Sequence, residues 1–330
     1  MLTKILVPLD GSPFGAFAID LALQVAKQAR ASLMLVHIQE PFVMAAGVPM
    51  VDTRLDLENR QVALTTVARL HERARVKSGQ QCPLEVMEGD VAETLRRYVE
   101  EAHVDLVVMT TRGRSGFRRA VFGSVATALV HTLDIPILFA RSSTEPSEIE
   151  PSEAEPTGSI KRILVPLDGS WIAEKVISEL DGLTGSESTE YLLLRVLTPL
   201  PGPTEATIAT FTIGREDVAP RKAEAWNYLS GVADRLRATG AAATPIVTVN
   251  ASAARTILGA ARKHKADMIA MSTHGAGMFE RIILGSVADK IIRTASVPVF
   301  VYRPRHGNAN ITTGSDSIVA QRGPLTAIDR

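Results

Sequence analysis

Short apolar runs alternate with amphipathic stretches along this chain, and the alternation predicts its elements. Residues 5–9 are apolar throughout, and the next segment sets Phe14, Phe17, Ala18, Leu21 and Val25 on one face of a helix. Ser12 is placed to cap that helix, with Pro13 in the first helical position, where a missing N–H costs nothing. Strands are predicted over residues 33–38, 83–87, 106–110 and 136–140. Helices are predicted from about 55 to 77, from 91 to 102, and from Ser124 onward. The strands are nearly continuous apolar runs, the pattern of a parallel sheet covered by helices on both faces. Five strands and four helices make a doubly wound α/β sheet.

The same plan occurs twice. Residues 4–12, Lys-Ile-Leu-Val-Pro-Leu-Asp-Gly-Ser, return with one substitution, Arg162 for Lys4, over residues 162–170. The block at Asp105–Met109 returns at Asp267–Met271, and Gly123-Ser124-Val125-Ala126 returns as Gly285-Ser286-Val287-Ala288. Three matched blocks in the same order mark a duplication. The first domain is expected over residues 1–141 and the second over 160–304. Between them, residues 142–159 are rich in Pro, Ser and Glu and read as a solvated linker; residues 305–330 read as a loose tail. An irregular stretch, 199–217, replaces the first copy's loop after its second strand.

Composition adds exclusions. The 330 residues are ample for two domains, with 45% hydrophobic and 22% charged residues. Lys plus Arg and Asp plus Glu are 36 each, so no bulk charge points to nucleic acid or an anionic membrane. No apolar run reaches the roughly 20 residues of a membrane span. The N-terminus leads straight into a strand without the zones of a signal peptide. Cys82 is the only cysteine, so no disulfide or cysteine metal cluster forms within the chain, and a cytoplasmic location is expected. His37 and His274, one in each copy, read as ordinary polar residues rather than a metal site.

In an open parallel sheet, ligands sit beyond the carboxyl ends of the strands, where strand order reverses. Asp10 and Asp168 end the first strands there, and Val36 and Val196 lie near the ends of the second. The loops after the fourth strands run from Thr110 to Ser124 and from Ser272 to Ser286. In each, nine residues separate a glycine (Gly113 or Gly275) from the Gly-Ser pair. Gly113 and Gly275 let backbone approach a ligand. Gly123-Ser124 and Gly285-Ser286 open helices whose free amides and dipole suit a phosphate. An isolated Gly-Ser pair is more often just a turn and cap, and an isolated aspartate before glycine just a turn former. Found together, at one spacing, twice, they point to a nucleotide. Arg112, Arg114, Arg118 and Arg119 make the first loop basic; the second has His274 and Arg281 beside Glu280.

The Val-Pro-x-Asp strand and the loop resemble the ATP-binding members of the universal stress protein family, whose loop reads G-x2-G-x9-G-[ST]. Here the loops read Thr110-x2-Gly113-x9-Gly123-Ser124 and Ser272-x2-Gly275-x9-Gly285-Ser286, departing from the pattern at the first glycine. The resemblance covers both domains and implies strand order 3-2-1-4-5 in each. It implies adenine-nucleotide contacts from Pro8, Leu9, Asp10, Val36, Thr110, Gly113, Gly123, Ser124 and Val125. In the second copy the set is Pro166, Leu167, Asp168, Val196, Ser272, Gly275, Gly285, Ser286 and Val287. ATP is the implied cofactor, with Mg2+ held mainly by its phosphates. The family also implies pairing of the two domains through their final strands, 135–140 and 297–302, and is compatible with a homodimer of whole chains.

Three readings follow. The first is an ATP-binding stress or regulatory protein with little or no hydrolysis. The second is a dimerisation and signalling module in which one or both pockets stay empty. The third, an ATP-using enzyme, lacks a G-x-x-x-x-G-K-[ST] loop, paired carboxylates for catalytic magnesium and an evident general base.

Overall fold

The computed structural model describes residues 2–41, 44–45, 48–49, 53–111, 123–141, 159–180, 182–183, 189–199, 218–273 and 284–304. Gly113, Gly275, the loop arginines 112, 114, 118, 119 and 281, Glu280, His274, most of the linker and the tail lie outside them.

The first repeat runs β1 (Lys4–Leu9), α1 (Gly15–Ala29), β2 (Ser32–Gln39), α2 (Thr53–Ser78), β3 (Leu84–Glu88), α3 (Val91–Glu101), β4 (Leu106–Thr110), α4 (Ser124–Thr132) and β5 (Ile137–Ala140). A two-residue ladder, Met44–Ala45 with Val48–Pro49, stands between β2 and α2. The second repeat runs β6 (Arg162–Pro166), α5 (Trp171–Glu179), β7 (Glu190–Leu197), α6 (Val218–Ala238), β8 (Ala242–Val249), α7 (Ala253–Lys263), β9 (Met268–Ser272), α8 (Ser286–Thr294) and β10 (Val299–Tyr302).

Strand order is 3-2-1-4-5 in both halves: β3-β2-β1-β4-β5 and β8-β7-β6-β9-β10, every pair within a half parallel. The halves share one 10-stranded sheet, because β10 runs antiparallel to β5 with Val299 opposite Phe139, Phe300 opposite Leu138 and Val301 opposite Ile137.

Successive strand residues point to opposite faces, and the apolar runs supply a core to each. On one face Ile5, Leu35, Val108 and Leu138 meet α1 and α2, and Ile163, Leu193 and Phe300 meet α5 and α6. On the other, Leu6, Val107 and Phe139 meet α3 and α4, and Leu164, Ile269 and Val299 meet α7 and α8. Each core continues across the β5–β10 seam. Phe139 and Phe300 are fully buried there; such a side chain contributes roughly 1.5–3 kcal/mol by leaving water.

The repeated aspartates Asp105 and Asp267 fix β4 and β9 to the starts of β1 and β6. Asp105 Oδ2 accepts from the Thr3 amide (2.7 Å), the Thr3 hydroxyl (2.7 Å) and the Lys4 amide (2.9 Å). Asp267 Oδ2 accepts from the amides of Lys161 (3.0 Å) and Arg162 (2.8 Å). Between α1 and α2, Asp20 pairs with Arg73 (2.6 Å) and Lys77 (2.9 Å).

The first helix begins later than the sequence predicts. Ser12 does not cap it: Phe14 stands at the cap, without a side-chain bond, and α1 starts at Gly15. The Ser12 carbonyl instead accepts from the Gly15 amide (3.3 Å), closing a tight turn ahead of the helix. In the second repeat Ser170 does cap its helix, accepting from the Ala173 amide. No described helix is long and apolar enough to cross a membrane.

Candidate functional site

Strand order reverses between β1 and β4, and between β6 and β9, and the candidate residues gather at the carboxyl ends of those strands. Pro8 and Pro166 are half-buried, Leu9 and Leu167 buried, and Asp10 and Asp168 exposed as the chain leaves the sheet. Gly11 (φ 80°) and Gly169 (φ 91°) then take left-handed conformations that turn the chain toward the next helix. This turn locks each aspartate the same way. Asp10 Oδ1 accepts from the Ser12 amide (2.9 Å) and hydroxyl (2.6 Å). Asp168 Oδ1 accepts from the Ser170 amide (2.9 Å) and hydroxyl (2.6 Å). A carboxylate is thus pinned at the mouth of each crevice.

The Gly-Ser pairs do open helices. Gly123 and Gly285 are the N-caps of α4 and α8, and neither helix has a side-chain bond at its cap. The first amides of each helix lie at the positive end of its dipole, and the exposed residues Ser124 and Ser286 stand at its opening. The Gly285 amide donates to the Thr273 carbonyl (3.1 Å), which holds the start of α8 against the end of β9. Val125 and Val287 are half-buried and pack against the core.

The remaining candidates fall into place unevenly. Thr110 ends β4 half-buried. Ser272 is buried, and its hydroxyl donates to the Ile172 carbonyl in the first turn of α5 (2.9 Å), so it serves the fold. Val36 is buried opposite Pro8. Val196 is not its counterpart. Leu194 stands opposite Pro166, and Val196 lies two residues further along the strand, half-buried, in the place of Ile38. The apolar run Tyr191 to Leu194 carries no polar marker to show this register.

That register exposes a difference the sequence reading missed: buried His37 and half-buried Arg195 occupy equivalent positions. His37 Nδ1 lies 2.7 Å from the Leu9 carbonyl, and since a carbonyl only accepts, Nδ1 donates. Arg195 stacks on the Tyr228 ring, 5.3 Å from its centre, and approaches Gly169. Burial pushes the Tyr228 phenol well above its ordinary range. The carboxylates of Glu174 and Asp168 add to that rise, and Arg195 opposes it. Among the described residues the Tyr228 hydroxyl has no hydrogen-bond partner within bonding geometry, although the Glu174 carboxylate lies near enough to raise it.

Two crevices at switch points, each with a pinned carboxylate and a helix opening on glycine, can seat a phosphorylated ligand with polar groups at its other end. Comparison with known proteins agrees with this architecture. Over 317 residues the chain is 26% identical to a universal stress protein of Mycolicibacterium smegmatis, covering 91% of this chain and 97% of that one. A universal stress protein of Methanocaldococcus jannaschii is 31% identical over 142 residues, 42% of this chain and 81% of the relative. Among solved structures, a universal stress protein from Archaeoglobus fulgidus superposes with a TM-score of 0.61 at 18% identity, covering 92% of this chain and 97% of that one. The universal stress protein family matches residues 1–141 and again 159–303, and the chain belongs to that family as a tandem, two-repeat member.

Proposed function

We propose that the chain binds an adenine nucleotide in each crevice, ATP with Mg2+ carried by its phosphates, and turns it over slowly or not at all. In this reading it is a cytoplasmic stress-response or regulatory protein. One observation carries the proposal: α4 and α8 open on glycine beside the strand-order reversal of each repeat, with the first-strand aspartate locked in the same turn both times. Amides and a dipole at a helix opening favour a phosphate, and the exposed Asp10 and Asp168 offer acceptors for ribose or base. Titration calorimetry of the full chain with ATP and magnesium tests it. Saturable heats near two nucleotides per chain are expected, without matching phosphate release; flat heats at millimolar ATP overturn it.

A second reading, a pairing module with an empty second pocket, is favoured by Ser272, whose hydroxyl is already committed to Ile172. Mass spectrometry of nucleotide retained by the purified chain separates the two readings. We also propose that the β5–β10 pairing holds the repeats together in solution, so that a chain cleaved within 142–158 stays associated at micromolar concentration. A dimer of whole chains would then use other surfaces.

A further inference from the structure

Arg141 and Arg303 each follow the final strand of their repeat, and each crosses the seam. Arg141 Nη2 donates to the Ile291 carbonyl in α8 (3.3 Å), while its Nη1 donates to the Thr111 hydroxyl of its own repeat (3.1 Å). Arg303 Nη1 donates to the His131 carbonyl in α4. Both acceptors lie in the last turn or so of a nine-residue helix, near the negative end of its dipole, so a guanidinium is held by charge as well as by hydrogen bonds; the Ile291 carbonyl also accepts from the Ala295 amide that caps α8 (2.9 Å).

The helices so gripped are the two that open at the Gly-Ser pairs. α4 begins at the first crevice and is held at its far end by an arginine of the second repeat. α8 begins at the second crevice and is held by an arginine of the first. Arg141 goes further, because Thr111 is buried immediately beyond β4, at the base of the first glycine loop. Its guanidinium thus joins the base of one crevice to the helix that opens the other. On the reciprocal side Arg303 and Thr273, which holds the start of α8, line one shallow cleft with Val130, Leu133, Ile137 and Val301.

We propose that this pair of arginines couples the two crevices, so that a nucleotide in one changes the affinity of the other. The inference rests on the reading that both crevices bind nucleotide. A short helix packed along one side moves as a unit, so a ligand drawing on the amides at one end shifts the carbonyls at the other. Those carbonyls are bonded to the opposite repeat. Coupling of this kind is reciprocal: each site must alter the other by the same factor.

The experiment is ATP calorimetry on the full chain, comparing the first site when the second is intact with the first site when the second is disabled by Gly285→Val. Gly123→Val supplies the reverse comparison. The expected result is an affinity ratio of about five-fold or more, equal in both directions, that falls toward one in Arg141→Met/Arg303→Met. Thr111→Val, which removes only a hydroxyl, should reduce the ratio while leaving the seam bonds intact; it serves if the double variant folds poorly. Two sites that bind independently in the parent chain overturn the proposal, as does a ratio unchanged in these variants. Absence of any ATP heat in the parent strikes the nucleotide reading itself and is distinct from either result.

Discussion

Gly11 lies so close to Ala63 of α2 that a Cβ on the glycine would sit 2.5 Å from the alanine Cβ. The contact forbids any side chain there, and the φ of 80° independently disfavours one. Gly169, at the same place in the second repeat, faces the end of the Arg195 side chain instead, with guanidinium atoms 2.9–3.1 Å from an added Cβ. Backbone cannot step aside, whereas a flexible arginine can. Gly11→Ala should therefore cost about 2–4 kcal/mol, strain and overpacking together. Gly169→Ala should cost about 1–2 kcal/mol, chiefly the left-handed φ. Denaturant unfolding of the two variants measures the difference, and equal losses would contradict this account of the two turns.

Acid should find Asp105. Burial works to raise its carboxyl, but the bonds from Thr3 and Lys4 outweigh it and hold the group below its usual range. A depressed folded-state value stabilises the fold above the unfolded value of about 3.9. That contribution fades as pH falls through the lower folded value. Asp105→Ala should lose about 1–3 kcal/mol at pH 7, since hydrogen bonds to a charged acceptor go. The gap between variant and parent should close below about pH 4. Thermal unfolding from pH 2 to 7 reads this directly; a gap independent of pH would refute it.

Cys82 should report unfolding. It is buried, and burial pushes its thiol up to about 11. The neutral thiol is a poor nucleophile, so a thiol reagent at pH 7.5 should react slowly with the native chain and fully in denaturant. The linkage has a sign as well. A raised folded-state value means that this site's stabilising contribution is complete below the unfolded value of about 8.5. It is lost as pH rises toward 11. Rapid stoichiometric labelling of the native protein would show that α2 and β3 open there far more readily than their packing implies.

Much of this molecule is legible in its sequence, because the duplication checks each assignment against a second copy. The helices opening at Ser124 and Ser286, and the long helix expected from about 55 to 77 and found over 53–78, follow from apolar periodicity and repeat alignment, whereas the strand order follows from the family resemblance. What the sequence obscures has local causes. Asp-Gly-Ser is identical in both repeats, yet only Ser170 caps a helix. In the first repeat Pro13 and Phe14 stay in a turn, and the helix waits for Gly15. Val36 and Val196 look equivalent by residue type, but an apolar strand does not announce its register, and only pairing with β6 shows that Leu194 is the true counterpart. Arg141 and Arg303 stand at matching places just after the final strands, and nothing in the sequence signals what they do there. Their reach across the seam depends on the antiparallel β5–β10 pairing, which brings each beside the other repeat's helix.

The phosphate seats make the sharpest test of function. A branched residue at Gly123 or Gly285 would be expected to strain the turn if the glycine were left-handed, but neither is. Their φ values are −60° and −64°, with ψ 152° and 145°, conformations open to any residue. Among the described residues, an added Cβ on Gly123 meets nothing within 4 Å. On Gly285 the nearest atom is the Thr273 carbonyl oxygen at 3.3 Å, a contact relieved by a small shift. Gly123→Val and Gly285→Val should therefore fold normally, each losing about 1 kcal/mol or less at the helix cap. A phosphate over the first amides of α4 or α8 cannot share that space with two methyl groups. Each substitution should weaken ATP at its own crevice by more than ten-fold, and the double variant should show no heat with millimolar ATP. Calorimetry beside a denaturation curve separates loss of binding from loss of fold. A double variant that keeps the parent's stability and the parent's affinity would place the phosphates elsewhere.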